Sequence, residues 1–437
     1  MNLRITPVTR LAGEIEVPGD KSISHRAALF GALAEGRTEI TGYLEGEDCL
    51  NTLGAVRALG VEVTRKGDGR YLVDGAGLTG LTEPDNVIDC GNSGTGARLL
   101  LGVLAGQPFT TVLTGDDSLR RRPMGRVAEP LTRMGALVAG RDGGRRLPLA
   151  ITGRRPLHAL TYRSPVASAQ VKTALLLAGL WADGPVTVEE PALSRDHTER
   201  MLAGFGARLD VTPGRVTIAP GARLTGQPIA VPGDISSAAF FLVAAAIARE
   251  ALVTLRHVGV NPTRTGVLDV LAAMGARVRA EAASTGGGEP ASDLVVASGP
   301  LSATEIGGPL IPRLIDEVPV LVVAACVASG TTRVSDAAEL RVKESDRIAV
   351  IATELGKMGA RIRETPDGLE IEGGAGLTGA RVRSAGDHRV AMALAVAGLV
   401  ADGPTLIEDT DCIATSFPGF ADLLNRLAGG TPVAVVA

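Results

Sequence analysis

The residues best suited to chemistry are basic and hydroxyl side chains at predicted helix starts. In residues 17–26 (VPGDKSISHR) a strand-like run ends at a Pro-Gly turn, and an apolar helical pattern follows. Lys21, Ser22 and Arg26 therefore fall in the first two turns of a helix. Helix N-termini carry unpaired N–H groups and about half a positive charge. The pattern predicts an anion-binding site, although an ordinary turn before a solvated helix face has the same signature.

Similar residues recur in the first half of the chain. Residues 91–98 (GNSGTGAR) form a small-residue loop before an apolar run, and the backbone at Gly94 can approach a ligand closely. Residues 115–123 (GDDSLRRRP) place Arg122 on a basic loop, which by itself indicates a solvated loop. Ser168 and Gln170 lie near another helix start, and a capping motif with Arg195 follows.

The second half adds carboxylates. Asp316 precedes a wholly apolar run, where a helix cap is the simplest interpretation. Residues 341–347 (RVKESDR) resemble an exposed helix start, and Arg389 opens a helix rich in Ala and Leu. The helix macrodipole disfavours cations at helix starts, so their recurrence there in a chain of net charge −4 predicts convergence on a small, multiply anionic substrate.

Composition excludes several classes of protein. A chain of 437 residues indicates two or three domains. Net acidity and 3% aromatic residues argue against a nucleic-acid partner. Apolar runs are shorter than the roughly 18 residues of a membrane span. Four cysteines without CxxC, five histidines without HExxH and no targeting pattern predict a soluble cytoplasmic protein without a metal or disulfides.

The chain also contains internal repeats. Residues 14–34 and 228–248 share a strand, Val-Pro-Gly-Asp and an Ala-rich helix, so two related halves are expected. Within them, a glycine after a helix recurs about every 70 residues, which indicates six units, three in each half. These glycines are Gly60, Gly135, Gly206, Gly275, Gly359 and, in a weaker copy, Gly429.

Together the motifs resemble those of the EPSP synthase (3-phosphoshikimate 1-carboxyvinyltransferase) family. The matching stretches span residues 18–389 and are PGDKSISHR, GNSGTGAR, GDDSLRRRPM, SAQVK, RDHTE, NPTRTG, IDEVP, RVKESDR and DHR. SAQVK, RDHTE and NPTRTG are similar to the class II branch, which is associated with glyphosate tolerance. The resemblance implies an inside-out α/β barrel of two domains, each with three βαβαββ repeats and with the active site in the cleft between them. Residues 20–228 would form the first domain, and residues 1–19 with 229–437 the second.

The resemblance also implies a reaction. The enolpyruvyl group of phosphoenolpyruvate would pass to the 5-hydroxyl of shikimate 3-phosphate by addition and elimination, with release of phosphate. No cofactor and no metal are expected, glyphosate is the expected inhibitor, and the protein is expected to be a monomer.

Each motif residue receives an implied role. The residues that would hold shikimate 3-phosphate are Lys21, Ser22, Arg26, Ser168, Gln170, Arg195 and Lys343. The residues that would line the phosphoenolpyruvate pocket are Lys21, Gly94, Arg122, Gln170, Arg347 and Arg389. Asp316 would contact the attacking hydroxyl and take its proton, Glu344 would help to protonate the methylene carbon, and Lys21 would serve both substrates.

One position departs from the pattern of many members. They carry a lysine before the Thr-Phe-Pro near the C-terminus, whereas Thr415 stands there in this chain. The resemblance therefore assigns no C-terminal residue to phosphoenolpyruvate binding and leaves open what replaces the lysine.

Two other functions fit parts of the pattern. UDP-N-acetylglucosamine enolpyruvyl transferases, on the same fold, carry Lys-Asn after the Pro-Gly turn and a reactive cysteine in a mobile loop. This chain has Lys21-Ser22 there and no cysteine in residues 115–123. A non-catalytic anion-binding module has no use for Asp316 and Glu344 among its cations.

Overall fold

Strands and helices alternate along the chain in the computed structural model, which describes residues 1–286 and 288–436. The strands are β1 (Asn2–Ile5), β2 (Arg10–Glu16), β3 (Glu35–Thr41), β4 (Glu62–Gly67), β5 (Arg70–Ala76), β6 (Ile88–Asp89), β7 (Thr110–Thr114), β8 (Leu137–Gly140), β9 (Leu149–Thr152), β10 (Leu160–Arg163), β11 (Val186–Glu189), β12 (Leu209–Thr212), β13 (Arg215–Ile218), β14 (Ile229–Ala230), β15 (Glu250–Gly259), β16 (Arg277–Gly286), β17 (Glu289–Ala297), β18 (Glu305–Ile306), β19 (Thr331–Val334), β20 (Arg361–Thr365), β21 (Gly368–Glu372), β22 (Arg381–Arg383), β23 (Thr405–Glu408) and β24 (Val433–Val436).

The α-helices are α1 (Lys21–Leu33), α2 (Glu47–Ala58), α3 (Gly94–Ala105), α4 (Asp117–Arg121), α5 (Gly125–Arg133), α6 (Arg141–Gly144), α7 (Ala169–Gly179), α8 (His197–Gly204), α9 (Ile235–Ile247), α10 (Gly266–Ala273), α11 (Ile311–Leu314), α12 (Val318–Val327), α13 (Arg347–Lys357), α14 (His388–Leu399) and α15 (Phe420–Ala428). Short 3-10 helices cover Gly308–Leu310, Ala338–Val342 and Thr410–Thr415.

The described strands form six four-stranded sheets with one pairing pattern. Their strand orders are β14-β3-β5-β4, β6-β7-β9-β8, β10-β11-β13-β12, β16-β17-β15-β2, β18-β19-β21-β20 and β22-β23-β1-β24. In each sheet an edge strand pairs in parallel with its neighbour, which pairs antiparallel with the third strand. The α/β class is therefore confirmed. Within the described residues none of the sheets closes on itself, and the barrel arrangement stays a prediction.

Contacts divide the chain into two units, each with its own apolar core. Unit I comprises Gly19–Val231 and Gly286–Glu289, and unit II comprises Met1–Pro18, Pro232–Thr285 and Pro290–Ala437. The first two strands belong to unit II, because β1 pairs with β23 and β24 and β2 pairs with β15.

Apolar helices fill both units. In four sheets the crossover between the two parallel strands contains such a helix, namely α3, α7, α12 or α14, because parallel neighbours need a long connection. In unit I, α3 packs against α1 and α7, and in unit II, α9, α12 and α14 pack against one another. Nearly every side chain of α3, α9, α12 and α14 is buried, as expected for helices that are apolar on all sides. Across the described part of the chain, no helix is long and apolar enough to cross a membrane.

The helix ends show the expected C-terminal glycines and N-terminal caps. The glycine predicted after a helix in each repeat has a φ between 65° and 103°, which confirms the left-handed C-terminal positions. At the N-termini, side chains of the preceding residues accept backbone N–H groups; these caps are Asp20 (α1), Ser93 (α3), Ser168 (α7), Asp234 (α9) and Asp387 (α14). None of these five helices has an acidic residue in its first turn.

Gly102 allows α3 and α7 to approach each other. A Cβ atom there would lie 2.3 Å from the carbonyl oxygen of Ala174 and 2.7 Å from its Cα. We expect Gly102→Ala to lower the free energy of unfolding by about 1–3 kcal/mol. Gly54 lies in the exposed face of α2, where a Cβ would meet nothing within 4 Å.

The matched variant Gly54→Ala should instead raise the free energy of unfolding by about 0.5–1 kcal/mol, because alanine restricts the unfolded chain. Urea denaturation followed by circular dichroism measures both changes. Equal stability of the two variants would contradict close packing at Gly102.

Candidate active site

The N-terminus of α1 carries the first predicted cations of unit I. The carboxylate of Asp20 accepts the N–H of Ile23 at 2.9 Å and caps the helix. Lys21, in the first turn, forms an ion pair with Asp48 of α2, and its side chain remains 17% exposed. Ser22 is partly exposed beside it. The predicted first-turn positions of these residues are confirmed.

Arg26 lies deeper along the same helix and is almost fully buried. Its guanidinium donates to Thr198 Oγ1 at 2.8 Å, to Thr173 Oγ1 at 2.7 Å and to the carbonyl of Ser22 at 2.8 Å. Burial lowers the pKa of Arg26 to about 10, so the group stays charged at neutral pH. Because Thr173 belongs to α7, this arginine joins the second turns of α1 and α7.

Neighbouring His25 is also buried. It contacts Thr52 Oγ1 at 2.7 Å and Ser93 Oγ at 3.4 Å. Burial, followed by the charges of Lys21 and Arg26, holds the pKa of His25 well below 6.5. The ring is therefore neutral at physiological pH and acts as a spacer between α1 and α3.

Gly94 begins α3 and lies beside two arginines. A Cβ there would lie 3.0 Å from Nη1 of Arg98 and 3.2 Å from Nη1 of Arg122. Arg98 donates to Gln170 Oε1 at 2.6 Å, and Gln170 donates to Thr95 Oγ1 at 2.8 Å. These bonds bring the first turns of α3 and α7 together, and Gly94 is not among the residues of positive φ.

Arg122 corrects the interpretation of residues 115–123 as a solvated loop. Residues 117–121 form helix α4, and Arg122 after it is buried. Its guanidinium donates to Oδ1 of Asn92 at 2.6 Å and to Ser118 Oγ at 3.2 Å. Asn92 in turn donates to Asp116 at 2.6 Å, so the loop before α3 orients this arginine.

Two further predicted residues of unit I lie at helix starts. Ser168 caps α7 by accepting the N–H of Val171 at 3.4 Å. Arg195 lies two residues before α8 and is half-buried. Its positive charge repels that of Arg26. Side-chain contacts thus join the N-terminal parts of α1, α3 and α7, which carry predicted site residues, and the charge of Arg195 acts on Arg26.

In unit II, Asp316 is held by cations. Its Oδ1 accepts hydrogen bonds from Lys343 Nζ at 3.3 Å and from Arg347 Nη1 at 3.2 Å. The interpretation of Asp316 as a cap is wrong, because Glu317 occupies the N-cap position of α12. Asp316 instead pairs with two cations just before that helix.

Arg347 is the centre of this group and is buried, which corrects the interpretation of residues 341–347 as an exposed helix start. It donates from Nη2 to Glu344 at 2.7 Å and from Nε to Asp387 Oδ2 at 2.8 Å, in addition to Asp316. Although burial disfavours the charged guanidinium, the carboxylates of Asp387, Glu344 and Asp316 raise the pKa of Arg347. The arginine therefore fixes two predicted catalytic carboxylates around one permanent cation.

Arg389 lies in the first turn of α14, as predicted. Its guanidinium carbon is 5.8 Å from the ring centre of Phe240, and the side chain is largely buried. Nη1 of Arg389 makes no hydrogen bond within the described residues. A buried donor without an acceptor costs free energy, so this position is suited to an anionic ligand.

Sequence reasoning missed the acidic and polar partners of the cations. Asp48, Asn92 and Asp387 each hold a predicted arginine or lysine, and each is distant from it in sequence. Asn92 lies inside the GNSGTGAR motif and Asp387 inside the DHR motif, and these motifs were the available signals. Its carboxylate also accepts the N–H of Arg389, so one residue positions two cations.

Other chemistries find little support in the described residues. Burial raises the pKa of Cys90, Cys326 and Cys412 to about 12, so these thiols are protonated at neutral pH. In the described part of the chain, no group of three His, Cys, Asp or Glu residues has the geometry of a metal site. Thr415 ends a 3-10 helix and donates to the carbonyl of Cys412 at 2.7 Å.

Comparisons with known proteins identify the family to which the chain is similar. The family model described as EPSP synthase (3-phosphoshikimate 1-carboxyvinyltransferase) matches residues 5–424. The chain is 57% identical over 427 residues to a 3-phosphoshikimate 1-carboxyvinyltransferase of Desulforudis audaxviator, covering 98% of this chain and 99% of that protein. The protein of that name from Geobacter sulfurreducens is also 57% identical, over 428 residues, with the same coverage.

A solved structure is similar as well. An EPSP synthase from Acinetobacter baumannii superposes with a TM-score of 0.89 at 45% identity and covers 100% of both chains. The predicted resemblance is therefore confirmed over the whole chain.

The anchoring of Arg347 by Asp387 can be tested by stability. Asp387→Asn keeps the size of the side chain but removes the charge that pairs with a buried guanidinium. Losing one partner of a buried ion pair is strongly destabilising, so we expect the free energy of unfolding to fall by about 3 kcal/mol.

Asp346→Asn is the matched control. Asp346 caps α13, the helix that begins at Arg347, and its second partner, Arg341, lies at the surface. Asparagine caps as well as aspartate, and surface pairs contribute little, so we expect a change within about 1 kcal/mol. Urea denaturation measures the free energy of unfolding of both variants. Equal decreases in the two variants would show that Asp387 has no special role in holding Arg347.

Proposed function

Because the chain belongs to the EPSP synthase family, we propose that it transfers the enolpyruvyl group of phosphoenolpyruvate to the 5-hydroxyl of shikimate 3-phosphate. This reaction is a step of the shikimate pathway to aromatic amino acids. The observation that carries the proposal is the ion-paired group in unit II, in which Arg347 holds Asp316 and Glu344. A protein that only binds anions gains nothing from carboxylates there, whereas proton transfer requires them.

The proposed site for shikimate 3-phosphate uses the helix starts of unit I. Lys21, Ser22 and Arg26 come from α1, Ser168 and Gln170 from α7, and Arg195 precedes α8. These helices present unpaired N–H groups, basic side chains and no acidic first-turn residue on α1 or α7, which favours a phosphate dianion. Lys343 of unit II is assigned to the same substrate by its motif.

The proposed phosphoenolpyruvate pocket is built mainly from arginines. Arg122, Arg347 and Arg389 are all buried, and planar guanidinium forks suit carboxylate and phosphate groups. Gly94 supplies close backbone approach, and Gln170 and Lys21 complete the set. Lys21 acts as a compact point charge toward both substrates.

The proposed chemistry is addition followed by elimination. Asp316 accepts the proton of the 5-hydroxyl as that oxygen bonds to C2 of phosphoenolpyruvate, and Glu344 assists protonation of the methylene carbon. The tetrahedral intermediate then loses phosphate and a methyl proton, which restores the double bond in the product. Fixed cations around the developing charge stabilise it without reorganisation.

The finer architecture of the family is part of the same proposal. We assign residues 20–228 to one domain and residues 1–19 with 229–437 to the other, arranged as an inside-out α/β barrel, with residues of both domains contributing to the active site. A cytoplasmic monomer that glyphosate inhibits remains the expectation.

A phosphate-release assay tests the function. With shikimate 3-phosphate and phosphoenolpyruvate together, we expect turnover that requires both substrates. Turnover with UDP-N-acetylglucosamine in place of shikimate 3-phosphate would identify the related transferase instead. Binding of both anions without phosphate release would identify a binding module.

The two carboxylates give a sharper test. We expect Asp316→Ala and Glu344→Ala each to lower kcat by about 10²–10⁴-fold. Neither should raise KM, because each removes a negative charge beside cations that attract anionic substrates. Glu305→Ala, which removes an exposed carboxylate of unit II, is the control. Near-normal kcat in either variant would remove that residue from the mechanism.

Gly94→Ala should distinguish glyphosate from phosphoenolpyruvate. The new methyl group would press on Arg98 and Arg122 without straining the backbone, since Gly94 has no positive φ. Glyphosate is longer than phosphoenolpyruvate and is expected in the same pocket. We expect its inhibition constant to rise about tenfold or more, and KM for phosphoenolpyruvate to rise clearly less.

Gly96→Ala is the matched control for this variant. A Cβ at Gly96 would meet Ser93 Oγ and Thr52 Oγ1 at 2.9 Å, away from the two guanidinium groups. It should not discriminate between the two anions. Equal weakening of both ligands by Gly94→Ala, together with a lower melting temperature, would contradict steric selectivity.

A further inference from the structure

A buried charged group of unit I, centred on Lys172, has no role in the proposed mechanism. Lys172, on α7, is 1% exposed and lies 2.9 Å from Glu190 Oε2 and 2.7 Å from Glu199 Oε1. Both carboxylates are also buried. A buried ion pair contributes little net stability, because each ion loses its hydration. Stability of the fold therefore does not explain why this group is present.

Glu190 makes two contacts that Glu199 lacks. Its Oε1 accepts the backbone N–H of Ser168 at 3.1 Å, and its Oε2 accepts the hydroxyl of Ser194 at 2.9 Å. Ser168 is the cap of α7, and Ser194 immediately precedes Arg195. One carboxylate thus joins the two segments of unit I that are assigned to shikimate 3-phosphate through Ser168 and Arg195.

The direction of these hydrogen bonds shows which side chains of the two segments can still donate to a phosphate. A serine hydroxyl has one proton, and Ser194 gives it to Glu190, so this hydroxyl cannot also donate to a phosphate. Ser168 gives Glu190 its backbone N–H, while its Oγ accepts from Val171 and keeps its own proton. The ligand contacts therefore come from the Ser168 hydroxyl and from Arg195, and Ser194 serves as the tether.

A carboxylate beneath a phosphate site also needs a counter-charge. An unpaired Glu190 would repel a phosphate dianion, and burial would penalise its charge. Lys172 supplies the compensating charge from within the same helix that carries Ser168. The lysine offsets part of the negative charge that Glu190 and Glu199 together bring to this region.

We infer that Glu190, held by Lys172, is a positioning residue that fixes Ser168 and the residue 194–195 segment in the geometry that shikimate 3-phosphate requires. The inference rests on the proposed function and deepens it. Glu190 touches no substrate. It acts through the two segments that do.

Glu199 provides the matched comparison. It shares Lys172, its burial is similar, and it contacts neither Ser168 nor Ser194 among the described residues. Its negative charge favours the charged guanidinium of Arg26. A purely structural role for the ion group predicts similar effects at the two glutamates, whereas a positioning role predicts different ones.

The experiment compares Glu190→Gln with Glu199→Gln in the full chain. Binding of shikimate 3-phosphate is measured directly by calorimetry, and KM for phosphoenolpyruvate, kcat and the melting temperature are measured alongside. The amide nitrogen of Glu190→Gln must face either the Ser168 N–H or Lys172 Nζ, which are both donors, so the variant loses the Ser168 tether or its contact with Lys172. We expect the Kd for shikimate 3-phosphate to rise about tenfold, with KM for phosphoenolpyruvate and kcat within about threefold of the parent values.

Glu199→Gln should change the same Kd by less than about threefold, even if both variants melt at similarly lower temperatures. Equal Kd changes in the two variants, or none in folded Glu190→Gln, would overturn the positioning role. If Glu190→Gln does not fold, Ser194→Ala removes one tether without disturbing the charges and should weaken binding in the same selective way. An unchanged Kd in folded Ser194→Ala would then overturn the inference.

The parent protein separates this inference from the proposed function. If the parent neither binds shikimate 3-phosphate nor releases phosphate, the proposed function has failed. If the parent is active and Glu190→Gln behaves like Glu199→Gln, only the positioning role has failed.

Discussion

A helix that is buried on every side can meet solvent and ligand only at its ends, and this constraint governs both units. The apolar helices α3, α7, α9, α12 and α14 are covered along their length, so their N-terminal turns are the places left for polar chemistry. Each such turn has backbone N–H groups to satisfy. Caps satisfy some of them. At α3 and α7 the cap is a serine and the first turn has no acidic residue, which leaves the positive end of the helix unneutralised for an anion.

Concentrating cations at these ends creates a second requirement, because buried positive charges must be held apart and oriented. The structure meets it with carboxylates from other elements: Asp48 for Lys21, Asp387 for Arg347, and Glu190 for Lys172. Asp387 and Glu190 also accept other hydrogen bonds, so the same group neutralises and positions. In unit II the arrangement goes further, since the anions around Arg347 include the two carboxylates assigned to proton transfer.

Local features were predictable from the sequence and distant partnerships were not. The helix starts at Lys21 and Gly94 and the left-handed glycines follow from capping and turn rules that involve only neighbouring residues. The burial of Arg122 and Arg347 was missed, because it depends on Asn92 and Asp387, which are 30 and 40 residues away. Asp316 was misread as a cap for the same reason: its true partners, Lys343 and Arg347, come from a later segment. The assignment of site residues came from the motif resemblance rather than from pattern alone.

The strand order β22-β23-β1-β24 has a consequence for biosynthesis on the ribosome. Strand β1 lies between the last two strands, with Asn2 opposite Val436, so this sheet cannot form until almost the whole chain has been made. Unit I is nearly continuous in sequence, and its sheets can pair while the remainder is still being synthesised. Meanwhile β1 and β2 wait with unpaired edges, which are prone to mispairing. Closing so long a loop is slow, and we expect unit II to complete its folding last.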